Sequence, residues 1–315
     1  MRAAILRWYG APPDVGDFDE PQATDGQEVV EIVAGGLNPV DIRMASGHFY
    51  GGTPPLPSVA GREGIGRRAD GSLVYFDQPV SPCGSFAERA PILSESAIPL
   101  GADIDPALAV AFGIAGLAAW LALEWRAQLQ EGETVLVLGA SGVVGQLAVQ
   151  AAKLLGAARV IAAARSAEGL DRALSQGADE VVDISAPDED DLADALTQAA
   201  GDPGVDVVVD PVWGAPAAAA LQACAPRGRL VQLGESAGSH NTLGSATIRG
   251  RALSVLGHTN FLAPPEVKRE AYQRMVRHGA AGELAVEVER VPLDDVREAW
   301  VRQTRSPHHK LVIVP

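Results

Sequence analysis

The sequence predicts an α/β protein that combines a doubly wound parallel sheet with a mostly antiparallel β domain. In the middle of the chain, short runs of β-branched residues alternate with alanine-rich stretches of helical period. The first third of the chain is instead rich in glycine and proline and contains only short apolar runs. The length of 315 residues suits two domains, at roughly 100–200 residues per domain.

The middle of the chain has the pattern of a parallel sheet. Continuous apolar strands separated by helices indicate a sheet that is buried on both faces. Right-handed crossovers then generate a doubly wound domain. The predicted strands are Thr134–Leu138, Arg159–Ala164, Glu180–Asp183, Val205–Asp210, Arg229–Leu233 and Leu253–Leu256. The predicted helices are Val143–Leu155, Leu170–Gln176, Asp188–Ala200 and Ala215–Cys224.

The two ends of the chain predict the second domain. Short strands such as Glu28–Val33 and Leu73–Phe76 lie among glycine- and proline-rich turns, which is typical of antiparallel β structure. The tail is too small to hold its own core, so we expect it to complete the N-terminal domain. Its predicted elements are Pro265–His278, Ala285–Val291, Leu293–Gln303 and Leu311–Val314. The predicted domains are 1–112 with 261–315, and 113–260.

Composition excludes several classes of function. The chain is 47% hydrophobic, which is ample for folded cores, and its net charge of −15 comes without any block of lysine or arginine. Nucleic-acid binding depends on clustered cations, so we expect no nucleic-acid partner. The two cysteines, Cys83 and Cys224, are too far apart in sequence for a zinc ribbon or a redox pair and suit a reducing cytoplasm.

Two segments bear on the membrane and on secretion. The N-terminal apolar run is too short for a signal peptide, so we expect a cytoplasmic protein. Residues 107–123 carry no charge and reach the lower limit of a membrane span, at about 17 residues. Alanine and glycine dominate this run, which favours a buried helix or pair of helices over a span.

A glycine-rich turn carries the strongest motif. Gly139, Gly142 and Gly145 follow the first parallel strand directly and open a helix. Glycines in this arrangement allow a tight turn, close approach to a pyrophosphate and close helix–strand packing, and the helix N-terminus holds phosphates. The predicted cofactor-binding residues of the turn are Gly139, Ala140, Ser141, Gly142, Val143, Val144 and Gly145. The alternative is a glycine-rich turn without a ligand.

The end of the second parallel strand selects the dinucleotide. An NAD site usually has Asp or Glu there, about 20 residues after the glycines, to accept a hydrogen bond from the ribose 2′-hydroxyl. This strand is followed by Arg165 and Ser166, which can pair with a 2′-phosphate. The sequence therefore predicts NADPH, with a solvated surface arginine as the alternative.

Several motifs in order resemble the zinc-independent medium-chain dehydrogenase/reductases, in their quinone oxidoreductase and enoyl reductase branch. The matching segments are Asn38–Asp41 (NPVD), Ala60–Gly66 (AGREGIG), Gly84–Glu88 (GSFAE), Gly116–Trp120 (GLAAW), Gly139–Gly145 (GASGVVG) and His309–Val312 (HKLV). The resemblance implies a GroES-like N-terminal domain, a Rossmann domain and a small-molecule substrate. It also implies a homodimer formed through the edge strand Leu253–Leu256.

Departures from the zinc-dependent relatives predict that no metal is bound. Asp41 and Arg62 stand where those relatives carry Cys and His ligands, and no four-cysteine lobe exists. Cys83, Cys224 and scattered histidines do not supply a tetrahedral site, and His308–His309 is interpreted as a surface pair. Without a Lewis acid, a quinone or conjugated alkene is a more suitable hydride acceptor than a ketone.

Candidate catalytic groups lie between residues 38 and 50, a segment that the resemblance places near the nicotinamide. The candidates are Asn38, Asp41, Arg43 and Tyr50, with His48 as a further possible donor. Arg43 and Phe49 stand where relatives commonly carry tyrosines, and Ala118 replaces a threonine. Asn38 and Asp41 as caps of a turn, Tyr50 as a loop aromatic and Arg43 as a solvated cation remain alternatives.

Two further loops follow parallel strands. Asp210-Pro211-Val212-Trp213-Gly214 resembles the family's D-x-VGG segment, and Leu233-Gly234 follows the next strand. Ligands of open α/β sheets bind outside the carboxyl ends of strands. The resemblance implies that the backbone of these loops contacts the nicotinamide, so we expect Asp210, Val212, Leu233 and Gly234 to be cofactor-binding residues.

Three functions are consistent with the sequence. The first is NADPH-dependent reduction of a quinone or activated alkene. The second is the same chemistry in a dedicated enoyl reductase of a biosynthetic pathway. The third is an NADPH-binding protein without catalysis, which the altered tyrosine and threonine positions make worth testing.

Overall fold

A computed structural model describes residues 1–101, 103–185 and 189–315, which form two compact units. Unit 1 contains Met1–Ala115 and Tyr272–Pro315, and unit 2 contains Gly116–Ala271. The predicted boundaries lay after residues 112 and 260. The second division falls inside a helix, Pro265–Ala280, so residues 261–271 group with unit 2.

The described residues form sixteen strands and ten α-helices. The strands are β1 (Arg2–Leu6), β2 (Asp14–Asp17), β3 (Gln27–Gly36), β4 (Ser58–Val59), β5 (Glu63–Arg67), β6 (Leu73–Phe76), β7 (Arg89–Leu93), β8 (Ile98–Pro99), β9 (Thr134–Leu138), β10 (Arg159–Ala164), β11 (Glu180–Asp183), β12 (Val205–Asp210), β13 (Cys224–Gln232), β14 (Ser254–Gly257), β15 (Val288–Pro292) and β16 (Lys310–Val314). The helices are α1 (Pro39–Ala45), α2 (Pro106–Ala111), α3 (Leu117–Leu121), α4 (Val143–Leu154), α5 (Ala167–Ser175), α6 (Glu189–Ala200), α7 (Gly214–Gln222), α8 (Ser245–Arg251), α9 (Pro265–Ala280) and α10 (Val296–Gln303). Shorter helical turns cover Phe112–Gly116, Ala122–Arg126, Asn260–Leu262 and Leu293–Asp295.

Unit 2 is built on a six-stranded parallel sheet in the order β11-β10-β9-β12-β13-β14. The predicted Rossmann fold is confirmed. Its interior strands are apolar because both faces are covered. Leu136, Ile161 and Val208 pack in one core with α6 and α7 side chains, and their neighbours Val135, Ala162 and Val207, which point to the opposite face, are also fully buried. The strand order reverses between β9 and β12, which is where an open α/β sheet forms its ligand crevice.

Unit 1 contains two sheets, β2-β1-β4 and β15-β16-β3-β5-β6-β8, with β7 also pairing with β3. All pairs are antiparallel except β15 with β16. The C-terminal strand β16 pairs with β3, and Trp300 and Leu311 pack in one core with Leu37 and Phe86. The predicted GroES-like, mostly antiparallel domain is confirmed.

Some predicted element boundaries were wrong. Cys224 was predicted to end a helix, but it begins β13. This strand starts early because Cys224 pairs with Val205 before a register shift, and regular pairing resumes at Arg229 with Val207. The predicted strand Ala285–Val291 begins only at Val288, and the predicted helix from Leu293 opens with a short 3₁₀ turn. Asp188, predicted as a helix start, lies outside the described residues.

The charge-free run 107–123 lies in a helical stretch, Pro106–Arg126, which is the one stretch in the described ranges with the length and hydropathy to cross a membrane. About four-fifths of its most apolar window, 78%, is buried inside the protein, as expected for a core helix. The stretch is also not continuous, because Gly113 has a non-helical backbone (φ −65°, ψ −116°). This break produces the predicted pair of helices, α2 and α3.

Candidate functional site

The turn between β9 and α4 is tight, and two of its three glycines, Gly139 and Gly145, leave no room for a side chain. Gly139 adopts φ +62°, which favours glycine. A Cβ on Gly145 would lie 2.6 Å from the Ala140 Cα and closer still to the Gly139 carbonyl oxygen. The first N–H groups of α4 therefore open onto a bare backbone cradle, which fits a pyrophosphate group.

The end of β10 lies against this turn. A Cβ on Gly169, in the first turn of α5, would collide with the Ser141 side chain. The Ser166 hydroxyl caps α5 by accepting the Gly169 N–H at 3.2 Å. Arg165 is exposed and has no ion-pair partner among the residues described, so its guanidinium is available to a ligand.

The loop after β12 is held by a buried carboxylate. Asp210 is fully buried, and its Oδ1 accepts the N–H groups of Val212 (2.9 Å) and Trp213 (2.7 Å). Burial raises the pKa of Asp210 to about 6 despite these two hydrogen bonds. The Val212 side chain closes on Gly139, where a Cβ would lie 2.8 Å from its Cγ1.

The loop after β13 meets the same edge. The Leu233 N–H donates to the Asp210 carbonyl at 2.8 Å, and a Cβ on Gly234 would lie 2.6 Å from the Pro211 carbonyl oxygen. The structure thus brings together the predicted cofactor residues of the β9, β10, β12 and β13 loops. Their contact with a cofactor remains a prediction.

Unit 1 contains a buried ionic cluster around Glu63, which is 0% exposed. Glu63 Oε1 accepts hydrogen bonds from Lys310 Nζ (2.8 Å) and Asn38 Nδ2 (2.7 Å). Lys310, 2% exposed, also donates to Asn38 Oδ1 at 2.6 Å, and Asn38 Nδ2 reaches the Gly36 carbonyl at 3.1 Å. The amide of Asn38 is therefore fully engaged within unit 1.

The other oxygen of Glu63 ties the cluster to the break after α2. Glu63 Oε2 accepts hydrogen bonds from the Tyr75 hydroxyl (3.0 Å) and the Ile114 N–H. A Cβ on Gly113 would collide with the Tyr75 ring and with Glu63 Oε2, which requires glycine there. Burial, together with Glu63, raises the pKa of Tyr75 well above its usual value.

Asp41 holds the start of α1. Its Oδ2 accepts the Asn38 N–H at 2.8 Å, its Oδ1 accepts the Arg62 N–H at 3.0 Å, and the residue is 4% exposed. Burial raises the pKa of Asp41 to about 7, since the hydrogen bonds and Lys310 only partly offset desolvation and the Glu63 charge. The capping alternative thus describes the contacts of Asp41, and its catalytic role remains a prediction.

Arg43, His48 and Tyr50 are exposed on or after α1, and Tyr50 is 81% exposed. The Tyr50 ring lies 4.4 Å from that of Phe49, centroid to centroid. The Tyr9 hydroxyl donates to the Pro54 carbonyl at 2.8 Å, which anchors the far end of this segment. Arg43, His48 and Tyr50 remain predicted substrate contacts.

The donor chemistry at the expected zinc position does not suit a metal. Asp41 accepts two backbone N–H groups, Glu63 is paired with Lys310, and Arg62 is a cation. Within the described ranges no group of three or more His, Cys, Asp or Glu side chains is arranged to hold a metal ion. His309 is partly buried and lies 2.8 Å from Glu289, so it is less exposed than a surface pair would be.

The sequence motifs contained three important residues to which no role was assigned. Glu63 and Lys310 lie in separate motifs, and their pairing across 247 positions has no local signature. Trp213 stands at the first glycine of the D-x-VGG pattern and adopts φ +59°, ψ −157°. A bulky residue at a glycine position of a motif could have revealed it.

The chain is similar to known dehydrogenases and oxidoreductases. The family described as zinc-binding dehydrogenase matches residues 143–277. Quinone oxidoreductase-like protein 2 of Mus musculus is 33% identical over 268 residues, covering 81% of this chain and 74% of that protein. A phenolphthiocerol/phthiocerol polyketide synthase of Mycobacterium tuberculosis is 29% identical over 297 residues, covering 91% of this chain; the chain spans only 13% of that protein.

A solved structure extends the similarity to the whole fold. The quinone oxidoreductase of Thermus thermophilus, studied also in complex with NADPH, aligns with a TM-score of 0.82 and 29% identity, and both chains are covered completely. Together with the mouse relative, this places the sequence motifs in one family. The chain belongs to the zinc-independent medium-chain dehydrogenase/reductases, in their quinone oxidoreductase branch.

Proposed function

We propose that the protein is an NADPH-dependent oxidoreductase that reduces a quinone or a conjugated alkene without zinc. The observation that carries the proposal is the bare backbone cradle at Gly139–Gly145 together with the exposed guanidinium of Arg165, which has no ion-pair partner among the described residues. The cradle suits a pyrophosphate and the guanidinium suits a 2′-phosphate. The NADPH complex of the Thermus relative supports the same cofactor.

NADPH, when bound, supplies a hydride. The acceptor must tolerate the resulting charge, and a conjugated carbonyl does so by moving it onto oxygen, where a hydrogen-bond donor or solvent can protonate it. A simple ketone depends more on a Lewis acid. The pairing of Glu63 with Lys310 and the arginine at position 62 support a reaction without zinc.

The proposed catalytic residues divide into two kinds by their contacts. The side chains of Asn38 and Asp41 form hydrogen bonds within unit 1. We propose that they hold the start of α1 in place for the substrate. Arg43 and Tyr50 are exposed, and we propose that they meet the substrate, Arg43 at an anionic or oxyanionic group.

The proposal is tested by following NADPH oxidation with a panel of quinones and conjugated enones, with NADH in parallel. Turnover with NADPH and at least one panel member is expected. The similarity to a polyketide synthase over 91% of this chain favours a dedicated enoyl reductase as second candidate. Turnover of enoyl thioesters alone would select that candidate, and tight NADPH binding without any turnover would select a non-catalytic NADPH-binding protein.

Substitution of Arg165 by alanine is expected to weaken NADPH binding about 10- to 100-fold, the value of one charged hydrogen-bonding group. NADH binding should change by less than about 2-fold, because NADH has no 2′-phosphate. Titration of nicotinamide fluorescence measures both affinities. Arg249→Ala, which removes an exposed arginine from α8, is the matched control. Equal losses for the two cofactors would refute the role of Arg165.

We also propose a cytoplasmic homodimer. The edge strand β14 pairs with β13 on one side, and Val255 on it is 37% exposed, which leaves a strand edge to pair with a second copy. Both cysteines are free thiols, which suits a reducing compartment. A monomeric mass by light scattering would contradict the dimer.

A further inference from the structure

The turn after β12 contains a backbone conformation that tryptophan adopts at a cost. Trp213 has φ +59° and ψ −157°, a region occupied almost entirely by glycine. The next residue, Gly214, also has positive φ, and a Cβ there would lie 2.9 Å from the Ala237 carbonyl oxygen. Something in the fold must hold Trp213 in this conformation.

Asp210 provides that restraint. One oxygen, Oδ1, accepts the N–H groups of both Val212 and Trp213, which fixes the two peptide units that make the turn. The Val212 carbonyl in turn accepts the Ala237 N–H at 2.8 Å, so the turn is also tied to the loop after β13. Partial burial of the Trp213 indole against the unit 2 core adds apolar contact.

The second carboxylate oxygen of Asp210 is closed off from solvent. Oδ2 is buried from solvent and has no hydrogen-bond partner among the described residues. A cofactor that enters from solvent does not reach it, and Oδ1 already accepts two N–H groups. A buried oxygen without a hydrogen bond destabilises the fold. Its presence indicates that the turn stabilised by Asp210 has a role.

The turn lies between the two halves of the sheet, where the two mononucleotide halves of a dinucleotide would meet. In a doubly wound fold each half of the sheet takes one mononucleotide, and β12 begins the second half. The turn packs on Gly139 of the phosphate cradle through Val212 and on Gly234 through Pro211. Its shape therefore sets the passage from the pyrophosphate to the nicotinamide mononucleotide.

We propose that Asp210 is a positioning residue that holds the strained Pro211–Gly214 turn in shape for the nicotinamide half of NADPH, and that its carboxylate makes no contact with the cofactor. This inference rests on the proposed function and refines the predicted cofactor contact of Asp210. Trp213 is the residue that makes the restraint necessary, because glycine at that position would need none.

The test compares four variants, Asp210→Asn, Asp210→Ala, Trp213→Gly and the double variant Asp210→Ala/Trp213→Gly. Affinities for NADPH and for 2′,5′-ADP, which lacks the nicotinamide half, are measured by calorimetry. Asn keeps an acceptor for both N–H groups, so Asp210→Asn should stay within about 3-fold of wild type for NADPH, whereas Asp210→Ala should lose about 30-fold. Affinity for 2′,5′-ADP should stay within about 3-fold throughout.

The double variant supplies the decisive comparison. In the Trp213→Gly background the Asp210→Ala substitution should cost less than about 5-fold in NADPH affinity, since glycine keeps the turn without restraint. Equal costs in both backgrounds would overturn the proposal. So would an Asp210→Asn loss as large as that of Asp210→Ala, or a parallel loss of 2′,5′-ADP binding.

Amide hydrogen exchange at Val212 and Trp213 measures the stability of the turn in the absence of any cofactor. Both N–H groups should be protected in wild type and Asp210→Asn, and exchange at least about 10-fold faster in Asp210→Ala. Unchanged exchange in Asp210→Ala would overturn the proposal even if affinity fell. A wild-type protein that binds no NADPH would refute the proposed function, and the exchange data would still decide the role of Asp210 in the turn.

Discussion

Lys310→Met is expected to lower the free energy of unfolding by about 3–5 kcal/mol, because it leaves Glu63 as an unpaired carboxylate in a fully buried position. Methionine matches the length of the lysine stem and keeps its apolar packing. The substitution also removes the hydrogen bond to Asn38 Oδ1 and so loosens the start of α1. Urea unfolding, followed by circular dichroism, measures the change.

The matched control is Lys153→Met. Lys153 pairs with Asp179 at the surface, with side chains 31% and 43% exposed, so its loss should cost about 0–1 kcal/mol. A double variant, Glu63→Gln/Lys310→Met, should be more stable than Lys310→Met alone, because it removes the unpaired charge. If Lys310→Met costs no more than Lys153→Met, the buried pair contributes nothing beyond a surface ion pair.

Gly145→Ala is expected to reduce NADPH affinity about 10- to 100-fold, the value of one or two hydrogen bonds to a charged group. The added Cβ would meet the backbone of Gly139 and Ala140, which has no flexible end to move aside. Either α4 shifts or the turn opens, and its N–H groups then leave the phosphate position. The strain should also cost about 1–3 kcal/mol of stability.

Gly250→Ala is the control for this substitution. Gly250 lies inside α8, and a Cβ there meets nothing within 4 Å. It should leave NADPH affinity unchanged and leave stability unchanged or raised by about 1 kcal/mol, the helix preference of alanine over glycine. Calorimetric titration with NADPH measures both variants. Wild-type affinity in Gly145→Ala would show that the cradle does not hold the cofactor.

The parallel sheet could be predicted closely because its information is local. The strands β9, β10, β11 and β12 have the predicted bounds, because strands buried on both faces have continuous apolar sequences. β13 was predicted too short because its first residues include Pro226 and Gly228, and only pairing with β12 makes them a strand. The local composition of a segment does not show which strand it will pair with.

The candidate cofactor site divides in the same way. The glycine turn and Arg165 are adjacent to their strands in sequence, so the order of strand, turn and helix was enough to place them. The role of Asp210 was not visible, because a carboxylate at the end of a strand can contact a ligand or its own backbone. Burial and the two N–H groups favour the contact with its own backbone, which is the basis of the role that we propose.

The sequence by itself determined the fold class, the glycine-rich turn after β9 and the family, since each depends on residues close together in the chain. Only the tertiary structure decided the partners of Glu63, which come from β16, β6 and the segments before α1 and after α2. The same holds for the engagement of Asn38 and Asp41 inside unit 1. A buried charge needs a partner wherever the fold can bring one, and its distance along the chain, 247 residues for Lys310, carries no information about that choice.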